Sequence, residues 1–302
     1  MALPTLYFEM ALPDAYRDLV DGVAIAVGPE RDALRAADGA ILGAAAPWNA
    51  TTIDGATRLR VVSRLGVGYD NVDVAAIRAR GVEVCYTPEA PMVSTAEHTM
   101  ALMLAITKRL PAQTARALEG LGGEATARGL ELDGTVLGLI GFGRIARRVS
   151  RAALGLGMRV LAHDPYAIGE PGVAMVPLET ALRDADVVSL HAPAGAETHH
   201  LINASTLATM KPTAYLVNCA RGSLVDQDAL VAALDTGRLA GAALDVTEPE
   251  PLPKGHPLLG RDDVIVTPHI ASSTAAGRRR LFEHAIANAL AVIDGRPATV
   301  VP

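Results

Sequence analysis

The sequence predicts an α/β protein made of doubly wound parallel sheets in two domains. Three observations lead there. Short apolar runs alternate with helix-compatible stretches rather than with hairpin turns. That alternation occurs twice, on either side of a long helical segment. The chain has 302 residues, more than one small core organises. Half of the residues are hydrophobic but only 3% are aromatic, so alanine and valine must supply most of the interior. Such a composition suits tightly packed helices over buried parallel strands.

In the first series the runs are Thr5–Met10, Val23–Val27, Gly39–Ala44, Arg58–Gly66 and Val82–Thr87. Between them lie the helix-compatible stretches Pro13–Val20, Pro29–Ala37 and Asp73–Gly81. This small α/β domain ends near Pro91. A long helical pattern follows, from Met92 to Gly120, with a break expected at Pro111. The second series begins at Thr135 and has six apolar strands: Thr135–Gly141, Met158–Asp164, Asp186–Ala192, Ala214–Ala220, Gly241–Val246 and Asp263–Pro268. Each ends where a turn or helix signal appears. The tail from Thr274 is helical again, with apolar Leu281, Ile286, Ala289, Leu290 and Ile293. If it packs on the first domain, that domain is discontinuous: residues 1–94 with 275–302, around a second domain at 95–274.

Composition excludes several function classes. The net charge is −6 and the only dense basic run is Arg278–Arg280, so the electrostatic footprint of a nucleic-acid binder is missing. Few aromatic rings are present for stacking single-stranded bases. Cys85 and Cys219 fit neither a metal spacing nor a disulfide framework, and free thiols in a reducing compartment are expected. No charged leader precedes an apolar stretch, and no run approaches the ~18–20 residues of a membrane span. A soluble, cytoplasmic protein is expected.

At the start of the second series, Gly141-Phe142-Gly143-Arg144-Ile145-Ala146 follows a strand and opens a helix. That is the context of a dinucleotide fingerprint: the first glycine for the tight turn, the second for close approach to a pyrophosphate, a small sixth residue for helix–strand packing. The helix N-terminus then offers N–H groups to phosphate. Asp164, ahead of Pro165 at the end of the next strand, stands close to the ~20-residue offset of the acid that bonds an adenosine ribose. A carboxylate there repels a 2′-phosphate and favours NAD over NADP.

Three further fragments end strands: Asn218–Asp226, Leu244–Pro253 and Val266–Ser273. Ligands of open parallel sheets bind outside the carboxyl ends of the strands, so all three face one crevice. An arginine there can fork onto a carboxylate, and a histidine can exchange a proton near neutral pH. A nearby carboxylate orients such a histidine. Arg221, His269 and Glu250 meet those needs.

These motifs, with Arg64–Asp73 (RLGVGYDNVD) and Ala96–Leu104 (AEHTMALML), resemble the D-isomer-specific 2-hydroxyacid dehydrogenases, especially their phosphoglycerate-dehydrogenase-like members. The resemblance runs through nearly the whole chain after about residue 40. It implies two Rossmann-like or flavodoxin-like domains with the active-site cleft between them. It also implies NAD as cofactor, a small 2-oxo or 2-hydroxy acid as substrate, and a homodimer. The catalytic arginine, acid and acid/base histidine fall on Arg221, Glu250 and His269. Backbone N–H groups of Leu65, Gly66, Val67 and Gly68 would hold the substrate carboxylate together with Arg221. Asp245 would bind the nicotinamide carboxamide. The cofactor would further touch Thr95, the glycine turn from Gly141 through Phe142, Gly143 and Arg144 to Ile145, then Asp164 and Pro165. His191, Ala192, Pro193, Thr198, Cys219, Ala220 and His269 complete that expected surface.

Other histidines read differently. His98 lies within the long helix as a structural residue, and His199 and His200 have no ligand partner at metal spacing, so no metal is expected. One departure bears on substrate. Where phosphoglycerate dehydrogenases carry an Arg-Ser-x-Thr run, this chain has AAAPWNATT, Ala44–Thr52, without a basic group. A phosphate loses its anchor, and Trp48 is expected to shape an apolar pocket instead. With the sequence ending at Pro302, a regulatory domain beyond it is not expected. Two rivals share the fold: a phosphite-type dehydrogenase and a non-catalytic, NAD-sensing corepressor-like protein. Formate dehydrogenases carry glutamine where Glu250 stands, which argues against that branch.

Overall fold

Residues 3–27, 31–44, 46–122 and 129–302 are described by the computed structural model. Pro29 and Glu30 of the expected Pro29–Ala37 helix, and Ala45 of the 44–52 run, lie outside them. The chain divides into two compact units, Met1–Met92 with Ser273–Pro302, and Val93–Ser272.

The first unit carries five parallel strands: β1 (Thr5–Phe8), β2 (Ala24–Val27), β3 (Gly39–Leu42), β4 (Val61–Arg64) and β5 (Glu83–Cys85). Their order, β2-β1-β3-β4-β5, reverses direction once, beside β1, which is the flavodoxin-like arrangement. Short helices α1 (Arg31–Arg35) and α2 (Val74–Arg78) connect strands, and Pro13–Val20 yields a 3₁₀ helix at Asp14–Val20. The sheet is covered on both faces, as its unbroken apolar strands require. On one face Ala40, Leu42, Val62 and Ile77 pack together. On the other, Leu6, Phe8, Ile41 and Val61 meet Phe282, Ala285, Ile286 and Ala289 of the C-terminal helix Ala275–Ile293. That helix starts with Thr274, whose side chain accepts the Gly277 N–H.

The second unit opens with α3 (Met92–Thr107) and α4 (Leu110–Leu118). The break between them falls at Arg109, in the left-handed region at φ 54°, and not at Pro111. Proline instead occupies the first turn of α4, where its missing N–H would have had no helical partner anyway. Seven parallel strands follow: β6 (Val136–Ile140), β7 (Arg159–His163), β8 (Val173–Met175), β9 (Val187–Leu190), β10 (Tyr215–Asn218), β11 (Gly241–Leu244) and β12 (Val264–Val266). Between them run α5 (Arg144–Gly155), α6 (Leu178–Asp184), α7 (Ala204–Thr209) and α8 (Gln227–Asp235).

The order is β12-β11-β10-β9-β6-β7-β8. Counted from β6, this is the doubly wound dinucleotide-binding order extended by one strand, with its switch point between β6 and β9. The strand beyond those six, β8, has three residues at the sheet edge, two half-buried and one exposed. So short an element carries no readable periodicity, which is why six strands were expected. Alternate residues of β6 feed the two faces, Leu137 and Leu139 to one core and Ile140 to the other.

Candidate active site

In the second unit the strand ends supply the site. Gly141 leaves β6 at φ 89°, and its N–H bonds the His163 carbonyl at 2.8 Å. A Cβ on Gly141 would lie 2.6 Å from the backbone of His191 and Ala192, so the close passage of two strand-end turns excludes any side chain. Gly143 differs: a Cβ there would meet nothing within 4 Å. The protein itself gives no steric reason for this second glycine. It caps α5 without a side chain, and no acid sits in the first turn, leaving the positive end of a twelve-residue helix for an anion. Ala146 is fully buried, as helix–strand contact demands. Phe142 is also fully buried, with the Arg147 guanidinium 4.5 Å from its ring centre.

Asp164, following β7, accepts the Phe142 N–H on Oδ2 at 2.8 Å, and the N–H groups of Tyr166 and Ala167 on Oδ1 at 2.8 and 3.0 Å. Burial raises its pKa, but those three bonds outweigh it, so the carboxyl is held below its ordinary value. An ionised carboxylate offers about four acceptor positions, and one on Oδ2 remains. The glycine turn and the acid are thus tied together.

After β9, His191 bonds Ser189 Oγ through Nε2 at 3.0 Å, and burial pushes its pKa down to about 4. It is neutral at working pH. Thr198 turns its hydroxyl onto the Pro193 carbonyl at 2.7 Å and closes that loop. Thr95, in α3, is buried and its carbonyl accepts the Thr99 hydroxyl. Cys219 is buried too, and that burial pushes its thiol up to about 12.

After β10, buried Asn218 clamps the next turn: its Oδ1 accepts the Ala220 N–H at 3.0 Å and its Nδ2 donates to the Arg221 carbonyl at 2.8 Å. The Arg221 guanidinium donates to the Ala220 carbonyl at 2.6 Å. Gly222 follows, and a Cβ on it would lie 2.1 Å from the Thr247 carbonyl oxygen. The arginine turn therefore rests directly on the loop that carries Glu250. From that loop, Glu250 Oε1 meets His269 Nδ1 at 2.6 Å. Both side chains are part-exposed, 36% and 46%. With Nδ1 on the carboxylate, no partner is found for Nε2 among the described residues. A carboxylate at one nitrogen fixes the tautomer and leaves the other to exchange a proton.

Asp245 follows β11 directly. Its side chain has no solvent exposure, and its oxygens accept from the Thr267 hydroxyl and the N–H groups of Ile270 and Ala271. Sequence reading also gave His199 and His200 no carboxylate partner. Folding brings Glu248 beside them, with His200 Nε2 4.0 Å from its Oε2. Nothing in local spacing could reveal that approach across nearly fifty positions.

In the first unit the 65–68 loop is partly committed. The Leu65 N–H bonds the Leu42 carbonyl at 2.9 Å and the Gly66 N–H bonds Thr87 Oγ1 at 2.8 Å. Among the described residues no partner is found for the N–H groups of Val67 and Gly68. Trp48 does not shape a pocket. It is 3% exposed in the core, and its indole N–H bonds Glu9 Oε1 at 2.9 Å. An indole with a carboxylate partner inside is stably buried.

The family model for the NAD binding domain of the D-isomer specific 2-hydroxyacid dehydrogenases matches residues 100–271, the unit just described. The chain belongs to that family. It is 40% identical to a glyoxylate reductase of Thermofilum pendens over 83% of this chain and 78% of that protein. It is 42% identical to a D-3-phosphoglycerate dehydrogenase of Methanocaldococcus jannaschii over 75% of this chain, but spans only 44% of that relative. The crystal structure of the TT0316 protein from Thermus thermophilus matches with a TM-score of 0.92 at 40% identity, covering 98% of this chain and 100% of that one. The dehydrogenase is thus an NAD-binding oxidoreductase of this family. No described helix is long and apolar enough to cross a membrane.

Proposed function

We propose that the dehydrogenase reversibly reduces a short, unphosphorylated 2-oxo acid, of the glyoxylate or hydroxypyruvate kind, to its D-2-hydroxy acid. The observation that carries this reading is the 2.6 Å contact of Glu250 with His269 Nδ1, which leaves Nε2 without a partner among the described residues. Support for the NAD side comes from Gly143, whose missing Cβ opens onto empty space at an uncapped helix end, room that a pyrophosphate would use. Asp164 would take a ribose hydroxyl, and the backbone from His191 to Pro193, with Ala220, would border the rest of the cofactor. When bound, the nicotinamide supplies or takes up the hydride.

The chain's own groups do the remaining work. Arg221 polarises the substrate carbonyl and grips the carboxylate. His269 donates its Nε2 proton to the oxygen that becomes the hydroxyl, and takes it back in the reverse direction. Glu250 holds the ring and fixes which nitrogen carries the transferable proton. Such general acid catalysis contributes about 10²–10⁴-fold. The lack of any Arg or Lys from Ala44 to Thr52 argues against a phosphorylated acid. A homodimer belongs to the same reading: α4 leaves Leu110 and Leu118 exposed, a face a second copy would cover, and sedimentation velocity tests it.

The deciding experiment follows NADH consumption with glyoxylate, hydroxypyruvate, pyruvate and phosphohydroxypyruvate, for wild type and His269→Ala. Turnover of the first two, poor use of the phosphorylated acid, and a loss of about 10²-fold or more in the variant with NADH still bound are expected. NADH binding without turnover of any acid would favour a corepressor-like scaffold. NAD reduction by phosphite alone would favour the phosphite branch.

A further inference from the structure

Behind the turn that carries His269 lies a second histidine that the mechanism above does not use. His98, on α3, is 18% exposed, and its Nε2 stands 3.3 Å from both Thr267 Oγ1 and Asp245 Oδ1. The Asp245 carboxylate, wholly shielded from solvent, accepts the Thr267 hydroxyl at 2.6 Å and the N–H groups of Ile270 and Ala271 at 2.9 Å each. Its backbone carbonyl accepts the His269 N–H at 2.8 Å. One aspartate thus holds four residues of the turn. At its centre His269 sits at φ 53°, a left-handed conformation that persists only where surrounding bonds impose it.

A buried carboxylate must be satisfied by protein donors. Two backbone amides and one hydroxyl contribute here, and among the described residues His98 is the ionisable side chain that reaches it. With Nε2 carrying the hydrogen, His98 donates into Thr267 Oγ1, whose own hydrogen points at Asp245, a chain in which each bond strengthens the next. We infer that His98 is a positioning residue for His269, acting through Thr267 and Asp245 to hold the turn in its strained form. This rests on the reading of His269 as the proton donor.

The test compares His98→Leu, which removes the donor, with His98→Gln, whose amide nitrogen reaches about as far as Nε2. Expected for His98→Leu is a fall in kcat of about tenfold with the NADH dissociation constant within about twofold, because displacement of a catalytic group by a fraction of an ångström acts on turnover. His98→Gln should restore kcat to within about threefold of wild type. If His98→Leu does not fold, Thr267→Val, which cuts the same chain one link later, takes its place beside His98→Gln. An unchanged kcat in His98→Leu, or equal losses in the leucine and glutamine variants, would overturn the inference. Should His269→Ala itself keep its turnover, the fault lies in the underlying mechanism instead; His269→Ala inactive with His98→Leu fully active rejects the role of His98 alone.

Discussion

Gly222→Ala probes the contact on which the geometry of the candidate site depends. The added methyl would stand 2.1 Å from the Thr247 oxygen, 2.2 Å from its carbonyl carbon and 2.8 Å from the Glu248 nitrogen. All three are backbone atoms, so no side chain can swing aside. Ordinary contact for a Cβ begins at 3.4 Å, and the turn carrying Arg221 must part from the loop carrying Glu250 by roughly 1 Å. Overpacking of this kind costs about 1–3 kcal/mol. At about 2–4 °C per kcal/mol for a protein of this size, Tm should fall by roughly 2–12 °C. Displacement by about 1 Å should lower turnover by about 10²-fold. On the proposed reading the pyrophosphate binds at the Gly141 turn, so NADH binding should stay within about threefold. Steady-state NADH oxidation with glyoxylate, NADH fluorescence titration and a thermal melt report the three quantities. A variant with wild-type kcat and Tm would refute the reasoning, since it would mean that the two loops do not meet as described.

Three further outcomes follow from single positions. Gly143→Ala meets no protein atom within 4 Å, so its stability should change by no more than about 1 kcal/mol. Its NADH dissociation constant should nonetheless rise about tenfold or more, and an unchanged constant in the same titration would remove the pyrophosphate from this turn. Burial depresses His191 from 6.5 to about 4; the unfolded chain binds a proton that the native ring refuses, so this contribution is complete above about pH 6.5 and is lost as pH falls toward 4. The shift corresponds to about 3 kcal/mol at most, nearer about 2 given the residue's partial exposure. Urea midpoints at pH 7 and pH 4.5 should converge in His191→Gln, and an undiminished difference would contradict the assignment. Asp164→Asn puts an amide where the carboxylate now accepts three N–H groups, and removes the charge that repels a 2′-phosphate. The NADH-over-NADPH preference in kcat/KM should drop by about tenfold; an unchanged ratio would take Asp164 out of cofactor selection.

Much was legible in the amino-acid order because its rules are local. Alternating strand and helix patterns set two parallel sheets, and each expected strand of the second series lies in the sheet. The glycine turn could be read because a residue at φ 89° against a neighbouring backbone has to be glycine. Strand-end fragments singled out Arg221, Glu250 and His269, since parallel topology gathers carboxyl ends at one edge. The C-terminal helix itself could be read from its apolar spacing, and Ile286 and Ala289 are buried in the core of the first unit.

Tertiary packing decided the rest. Asp245 is held by the N–H groups of Ile270 and Ala271, some 25 positions on. Trp48 became core because Glu9, 39 residues earlier, supplies its acceptor. Leu65 and Gly66 spent their N–H groups on Leu42 and Thr87, and His98 gained a partner 169 residues away. A hydrogen bond is committed only when both of its groups are in place, and neither residue's immediate neighbours say where the other will be. Periodicity therefore determined the scaffold of this dehydrogenase, while the choice of partner for each polar group at its strand ends was left to three-dimensional contact.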